Sequence, residues 1–447
     1  MKLWDKGKST DLKILEFTVG KDRELDLEMA TSDVIATIAH VIMLESVRLL
    51  DKTEKNNLVN ELLEIYYSIK KGNFVIDEGM EDIHSYVEKI LTDKLGETGK
   101  KVHTARSRND QVLVDLKLFY RNQTVHIAGL VKILFNLLIK KGEENRNFQM
   151  PGYTHFQAAM PSSFGLWFGA YAESLVEDLI IHEGILRYVN LNPLGSAAGY
   201  GSSFPIDRDL TTSLLEFGDL HVNSITAQLS RGKTEKHVAT GLAGIAGTLS
   251  KMAMDLTLFM SQNFEFIKLN EQLTTGSSIM PHKKNPDVLE LIRANCNRIS
   301  SVSNEITMLT QNLPSGYHRD FQLLKEVIFP AYHNLETCLE MMIHVINNVV
   351  VNDKITDDKK YTNIFSVENI NEKVKDGIPF REAYSQVAQE IENGNFKRSG
   401  NAVYTHIGSI GNPGFDRIIK KMDEVWKRLE IERFHTFEER FINSVKG

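Results

Sequence analysis

The chain has 447 residues, of which 42% are apolar and 25% charged, and it carries a formal net charge of −7. That length exceeds one ordinary core, so two or three domains are expected, and the composition is that of a soluble globular protein. The negative balance, with no long Lys/Arg block, excludes a nucleic-acid-binding surface, and neither a signal core in "MKLWDKGKSTDLK" nor a membrane-spanning stretch is read.

Residues 1–104 read as a small N-terminal helical domain, with helices near 24–50, 54–71 and 79–95 punctuated by "KKGNF" and "LGETGK". A first long helical segment starts near Val112 and continues to Ile139. A second stripe runs Phe164, Phe168, Tyr171, Leu175, Leu179, His182 and Leu186. The third, Val238, Leu242, Ile245, Leu249, Met252, Leu256 and Phe259, keeps 4-3-4-3 spacing, the seam of a helix packed lengthwise against others. Gly241, Gly244 and Gly247 line the same segment, where they would let neighbouring backbones approach. A fourth stripe takes Val288, Ile292, Asn295, Ile299, Val302, Ile306, Leu309 and Leu313, and a fifth covers Val327 to Val349.

Five such segments, with no strand signals between them, describe an all-α fold with an elongated central bundle, residues 105–353, of helices about 40 Å long at 1.5 Å per residue. Apolar faces of that length call for self-association. Past residue 354 the periods shorten and Gly/Asn-rich turns return, so 354–447 reads as a small C-terminal helical domain. Cys296 and Cys338 fall on apolar stripes, too far apart in sequence for a metal-ligand motif, and read as reduced core residues of a cytoplasmic protein.

If the bundle is scaffold, chemistry belongs where long helices start and stop. Three breaks are polar: "HTARSRNDQ" at 103–111, "MPGYTHFQ" at 150–157 and "TTGSSIMPHKKNPD" at 274–287. In the last, Asn285-Pro286-Asp287 reads as a helix start with Asn as the cap and Pro in the first turn. Gly276-Ser277-Ser278 supplies a hydroxyl-bearing turn just upstream. Backbone N–H groups, hydroxyls, an amide and two ammonium groups beside a helix N-terminus make an anion site. The G-x-x-x-x-G-K-[ST] spacing of a nucleotide-phosphate loop is missing.

The stretch "GSSIMPHKKNPDVLE" resembles the G-S-S-x-M-P-x-K-x-N-x-x-x-x-E signature of the fumarase/aspartase superfamily. "HTARSRNDQV", "PGYTHFQ" and "LPSGYHRDFQLLKE" are similar to motifs of the argininosuccinate lyase family. "EDIH", "NPLGSAAGYG" and "GIPFREAY" extend the resemblance over nearly the whole chain. It implies a homotetramer around a twenty-helix bundle, cleaving argininosuccinate to arginine and fumarate by β-elimination in arginine biosynthesis, with no cofactor and no metal.

The resemblance also implies roles by position. Ser277 would be the base, Lys283 and Asn285 would hold the carboxylate on which charge develops, and His155 would be the other catalytic group, oriented by Glu290. Ser107, Arg108, Asn109 and Thr154 would grip the succinyl carboxylates. Tyr317, Gln322 and Lys325 would contact the arginine portion, Thr18 stands where many relatives have serine, and His84 in "EDIH" is a further candidate. For Arg108 the bland alternative is a helix-start salt bridge to Asp110 or Asp115.

Three departures stand out. "SRGKTEK" at 230–236 replaces an S-x-R-D-F run, so Gly232 takes the place of a substrate-facing arginine, with Arg231 or Lys233 as substitutes for its charge. "LWDKGK" replaces "LWGGRF", and His282 stands where Gln is common. The competing readings are a sister lyase, such as adenylosuccinate lyase, aspartase or fumarase, and a non-catalytic scaffold relative.

Overall fold

The computed structural model describes residues 11–77, 79–399 and 403–446; the "LWDKGK" departure lies outside them. Eighteen α-helices are described: α1 (Leu12–Val19), α2 (Asp22–Ser46), α3 (Lys52–Lys70), α4 (Ile83–Leu95), α5 (Glu97–Lys100), α6 (Arg108–Glu144), α7 (Phe164–Val189), α8 (Arg208–Leu214), α9 (Ser224–Leu229), α10 (Lys233–Met260), α11 (Asp287–Ile299), α12 (Val302–Thr310), α13 (Leu324–Asn348), α14 (Ser366–Lys375), α15 (Phe380–Glu392), α16 (Phe415–Leu429), α17 (Ile431–His435) and α18 (Phe437–Val445). The fold is mostly helical, as the periodicity predicts.

The long helices pack along one another: α6 against α7, α10 against α11 and α7, and α13 against α6 and α11. Every residue of the 4-3-4-3 seam on α10 is buried, each such aliphatic side chain contributing roughly 1.5–3 kcal/mol. Gly241 is what lets α10 and α7 close up, because a Cβ there would lie 2.1 Å from Ile185 Cδ1. At Gly244 a Cβ would lie 3.3 Å from Asp178 Oδ1 and Gly247 meets nothing within 4 Å, so the close-approach reading is strong at Gly241, weak at Gly244 and fails at Gly247.

Two expectations need correction. The stripe from Val288 to Leu313 is two helices, because the Ser300 and Ser301 hydroxyls turn back onto the Cys296 and Arg298 carbonyls, offering the backbone an exit from the helix. A hairpin, β1 (Gln149–Thr154) with β2 (Gln157–Ser163), separates the first two long helices where no strand was predicted. Its two-residue turn is His155-Phe156, both at positive φ (54° and 59°), in place of the Asn-Gly pair that announces such turns.

Helices α2 and α6 are long and apolar enough to cross a membrane, contrary to the reading of the sequence. Packing explains their composition: 78% of the apolar window of α2 and 50% of that of α6 are buried inside the fold. Both cysteines are buried and free. One core cluster runs from α2 to α18, and Ile370, Ala383 and Val387 form a small second cluster between α14 and α15.

Candidate functional site

Helix ends converge on a cavity of about 150 Å³ lined by the first turns of α2 (Asp22, Asp26), the start of α4 (Glu81, Asp82, His84) and the start of α6 (Arg108, Asn109). Arg231, Tyr317, Arg319, Gln322 and Lys325 close it. Seven of the residues singled out in the sequence therefore meet here: His84, Arg108, Asn109, Arg231, Tyr317, Gln322 and Lys325. Thr154, His155, Ser277, Lys283, Asn285 and Glu290 do not line it.

Local chemistry sets up this arrangement. Ser107 caps α6, accepting the Asn109 N–H, while Asp110 closes the capping box. The same Asp110 carboxylate accepts the Gly195 and Ala197 N–H groups at 2.9 Å, so the "NPLGSAAGYG" turn is held against the start of α6. With Asp110 committed, Arg108 pairs instead with Asp82 Oδ2 at 2.6 Å, a partner the sequence reading had not weighed. Asp82 is itself the cap of α4. Burial works against its charge, but His84 and Arg108 outweigh it and hold its pKa below the usual value.

Lys325 is 3% exposed and sits between Asp22, at 2.7 Å, and Asp26. Burial alone would discharge the ammonium, yet the two carboxylates raise its pKa above the ordinary value. Gln322 donates to the Thr18 and Val19 carbonyls at 2.8 and 3.0 Å, and Arg319 to the Thr18 carbonyl at 2.6 Å. These bonds hold the end of α1 against the cavity wall. The Thr18 hydroxyl donates back to the Ile14 carbonyl at 2.8 Å.

At the divergent 230–236 segment, Gly232 adopts φ +77° ahead of α10, and Arg231 faces the cavity. Arg231 donates to the Phe321 carbonyl and pairs with Glu235, which also accepts the Gly232 N–H. The charge that Gly232 cannot carry is thus present one residue earlier. Asp22, Asp26 and Asp82 were not named as site residues from the sequence, whereas Arg231 was, as one of two candidates for the charge lost at position 232. The i, i+4 spacing of Asp22 and Asp26 in the acidic first turns of a helix whose later turns are mostly apolar was the available signal.

The Ser277 loop is a separate exposed feature. Thr275 pairs with Asn285 and Gly276 with Lys284, so residues 277–283 form the tip of a short hairpin. The Ser277 hydroxyl oxygen accepts the Met280 and Ile279 N–H groups at 3.2 and 3.4 Å. Donors aimed at that oxygen favour its anionic form. Asn285 is not the cap expected of it: α11 starts at Asp287, and the Asn285 amide donates to Thr275 Oγ1 at 3.4 Å. Lys283 and Glu290 are exposed, as is His155 at its hairpin tip. Within one chain, among the described residues, no hydrogen bond links His155 to Glu290.

Residues 8–301 match the Lyase family. The chain is 54% identical over 417 residues to an argininosuccinate lyase of Bacteroides fragilis, covering 93% of each. It is 53% identical over 442 residues to that of Parabacteroides distasonis, covering 99% of each. The chain belongs to the argininosuccinate lyase family. Among solved structures, EDDS lyase in complex with formate shares the fold, with a TM-score of 0.77 at 21% identity over 98% of this chain and 95% of that one. For an argininosuccinate lyase family member, the two exposed tips and the cavity are where the proposed site residues at 84–109, 154–155, 277–290 and 317–325 lie.

Proposed function

We propose that the chain cleaves argininosuccinate to L-arginine and fumarate, reversibly, as a cytoplasmic homotetramer serving the last step of arginine biosynthesis. The observation that carries this reading is the family membership over nearly the full length. The cavity supports it chemically. Argininosuccinate bears three carboxylates, a guanidinium and an ammonium, and the cavity offers Arg108, Arg231, Arg319 and Lys325 beside Asp22, Asp26, Glu81 and Asp82.

In the proposed mechanism Ser277 removes a proton from the methylene beside a carboxylate. Its Oγ is already met by two backbone N–H groups, and closure of the loop over substrate would exclude water and strengthen them. Lys283 and Asn285 hold the carboxylate that takes up the charge. His155, oriented by Glu290, serves protonation of the departing guanidino nitrogen. Arg108, Asn109, Ser107 and Thr154 bind the succinyl end, and Tyr317, Gln322, Lys325 and Thr18 the arginine end. Two exposed tips and a separate cavity in one chain are what a site assembled from three subunits needs. No cofactor or metal enters the proposed steps.

The test is direct: purified protein with argininosuccinate, following fumarate by ultraviolet absorbance. Fumarate from argininosuccinate supports the reading. Fumarate from adenylosuccinate but none from argininosuccinate would place the activity with a sister lyase, and none from either would leave a scaffold relative.

A further inference from the structure

Beneath the cavity, three buried side chains form a cluster that reaches the cavity wall at His84. His84 Nδ1 lies 2.9 Å from Asp33 Oδ1 and 3.5 Å from Asp115 Oδ2. Asp33 and Asp115 are 0% exposed and His84 6%. Gln111 adds a donor to Asp33 Oδ1 at 2.8 Å. Asp33 Oδ2 and both Asp115 oxygens have no donor among the described residues. Two ionised carboxylates in this position would be costly without partners, whereas a single proton between them satisfies both.

The His84 ring forms part of the cavity lining. Four carboxylates (Asp22, Asp26, Glu81, Asp82) and four permanent cations (Arg108, Arg231, Arg319, Lys325) also line it. The lining cations and carboxylates are equal in number without His84, so a cationic His84 ring, backed by the carboxylate charge beneath it, adds one positive donor at the cavity wall. Argininosuccinate, with three negative and two positive groups, is a net anion.

We propose that Asp33 and Asp115 share one proton and thereby keep the His84 ring oriented and cationic, making His84 an anion-anchoring residue for a substrate carboxylate. This rests on the proposed lyase reading for the identity of the anion, but not for the state of the cluster. The groups facing His84 are consistent with it. Burial opposes its charge; Asp33 on α2, then Asp82 beside it and Asp26 on α2, oppose burial and leave the pKa raised. Arg108 at the head of α6, Arg106 and His103 just before it and Lys325 on α13 are the basic groups nearby. Burial, and next the charge of Asp33, hold the Asp115 carboxyl well above the ordinary range, and in this proposal it carries the shared proton.

A divalent cation is the rival occupant, since the ligating atoms of the three residues lie within 4.8 Å of one another. The 2.9 Å Nδ1–Oδ1 separation is a hydrogen bond and uses the nitrogen lone-pair direction that a metal would need.

The experiment combines a ligand-free and a kinetic measurement on the full chain. Nitrogen-15 spectra of histidine-labelled protein, with His84→Gln assigning the signal, should show His84 doubly protonated at pH 7.5 in the wild type and in Asp115→Asn. In Asp33→Asn the signal should become neutral. With argininosuccinate, His84→Gln should raise KM about tenfold or more, the worth of one charge-assisted bond, with kcat little changed. Asp33→Asn should shift the upper inflection of the kcat/KM profile down by about one pH unit or more. Asp115→Asn, already neutral in its natural form, should behave as wild type. A neutral His84 in the wild type, an Asp115→Asn variant matching Asp33→Asn, or stoichiometric metal lost in His84→Gln would each overturn the proposal. If the wild type turns over no argininosuccinate, the lyase reading fails, while the nitrogen-15 spectra still decide the state of the cluster.

Discussion

The Lys325 ammonium stands 2.7 Å from the Asp22 carboxylate and is shared with Asp26, joining the start of α13 to the first turns of α2. The ion cluster is almost wholly enclosed at Lys325 and Asp26, so what it contributes depends on remaining complete.

Removing the cation alone is therefore expected to be severe. Lys325→Met should destabilise the fold by about 3–5 kcal/mol, because it leaves buried carboxylates unpaired. Adding Asp26→Asn to that variant should recover part of the loss. Urea denaturation of both variants checks this; equal stability of the single and double variants would show that Asp26 is not dependent on Lys325.

Among the described residues, the Ser277 hydroxyl bonds only with N–H groups of its own exposed loop, so its truncation should spare the fold. Ser277→Ala is expected to lower kcat by about 10²–10⁴-fold, the range for a lost proton-transfer group, with thermal stability unchanged. Steady-state fumarate release and a melting curve check it, and a near-normal rate would remove the serine from its role.

Shared sites predict complementation. Mixing inactive Ser277→Ala with inactive His155→Asn protein, under conditions where subunits exchange, should restore activity, because some mixed sites draw both intact residues from different chains. No recovery after demonstrated exchange would refute the three-subunit site.

His182 carries a pH dependence of stability. Burial pushes its imidazole down to about 4, against a weaker opposing bond to the Thr124 carbonyl. A folded-state value below the unfolded one near 6.5 means that the unfolded chain takes up the proton first. Stability from this group is thus intact above about pH 6.5 and falls between there and pH 4, by about 1.4 kcal/mol per pH unit. His182→Gln should flatten the acid limb of the stability curve by one group's worth, measured by denaturation at pH 7, 6 and 5.

The α7–α10 contact gives a packing test. Gly241→Ala must displace Ile185 and should cost about 1–3 kcal/mol, partly offset by the better helix propensity of Ala. Adding Ile185→Val should relieve the strain, and denaturation of the single and double variants reads it out.

How much was legible varies by element. The α10 seam was readable because one helix face repeats every 3.6 residues and every member is buried. The Ser300-Ser301 break was not, since the apolar spacing runs through it and only the hydroxyl hydrogen bonds end the helix. The β1–β2 hairpin was missed because its turn uses His155 and Phe156 at positive φ, residues that signal no turn on their own. Arg108 was expected to bind anions or to pair locally; Asp82, which holds it, is contributed by another helix.

The sequence by itself determined the long apolar-periodic helices and which polar residues gather near their ends, because hydrogen bonding and side-chain periodicity act over a few neighbouring residues. The tertiary structure alone decided that α2, α4, α6 and α13 bring their ends to one cavity. It also decided that Asp33, His84 and Asp115 meet beneath that cavity, with both carboxylates fully buried. Charge pairing and desolvation depend on distance in space and on the surrounding dielectric, and neither is encoded in the spacing of residues along a chain.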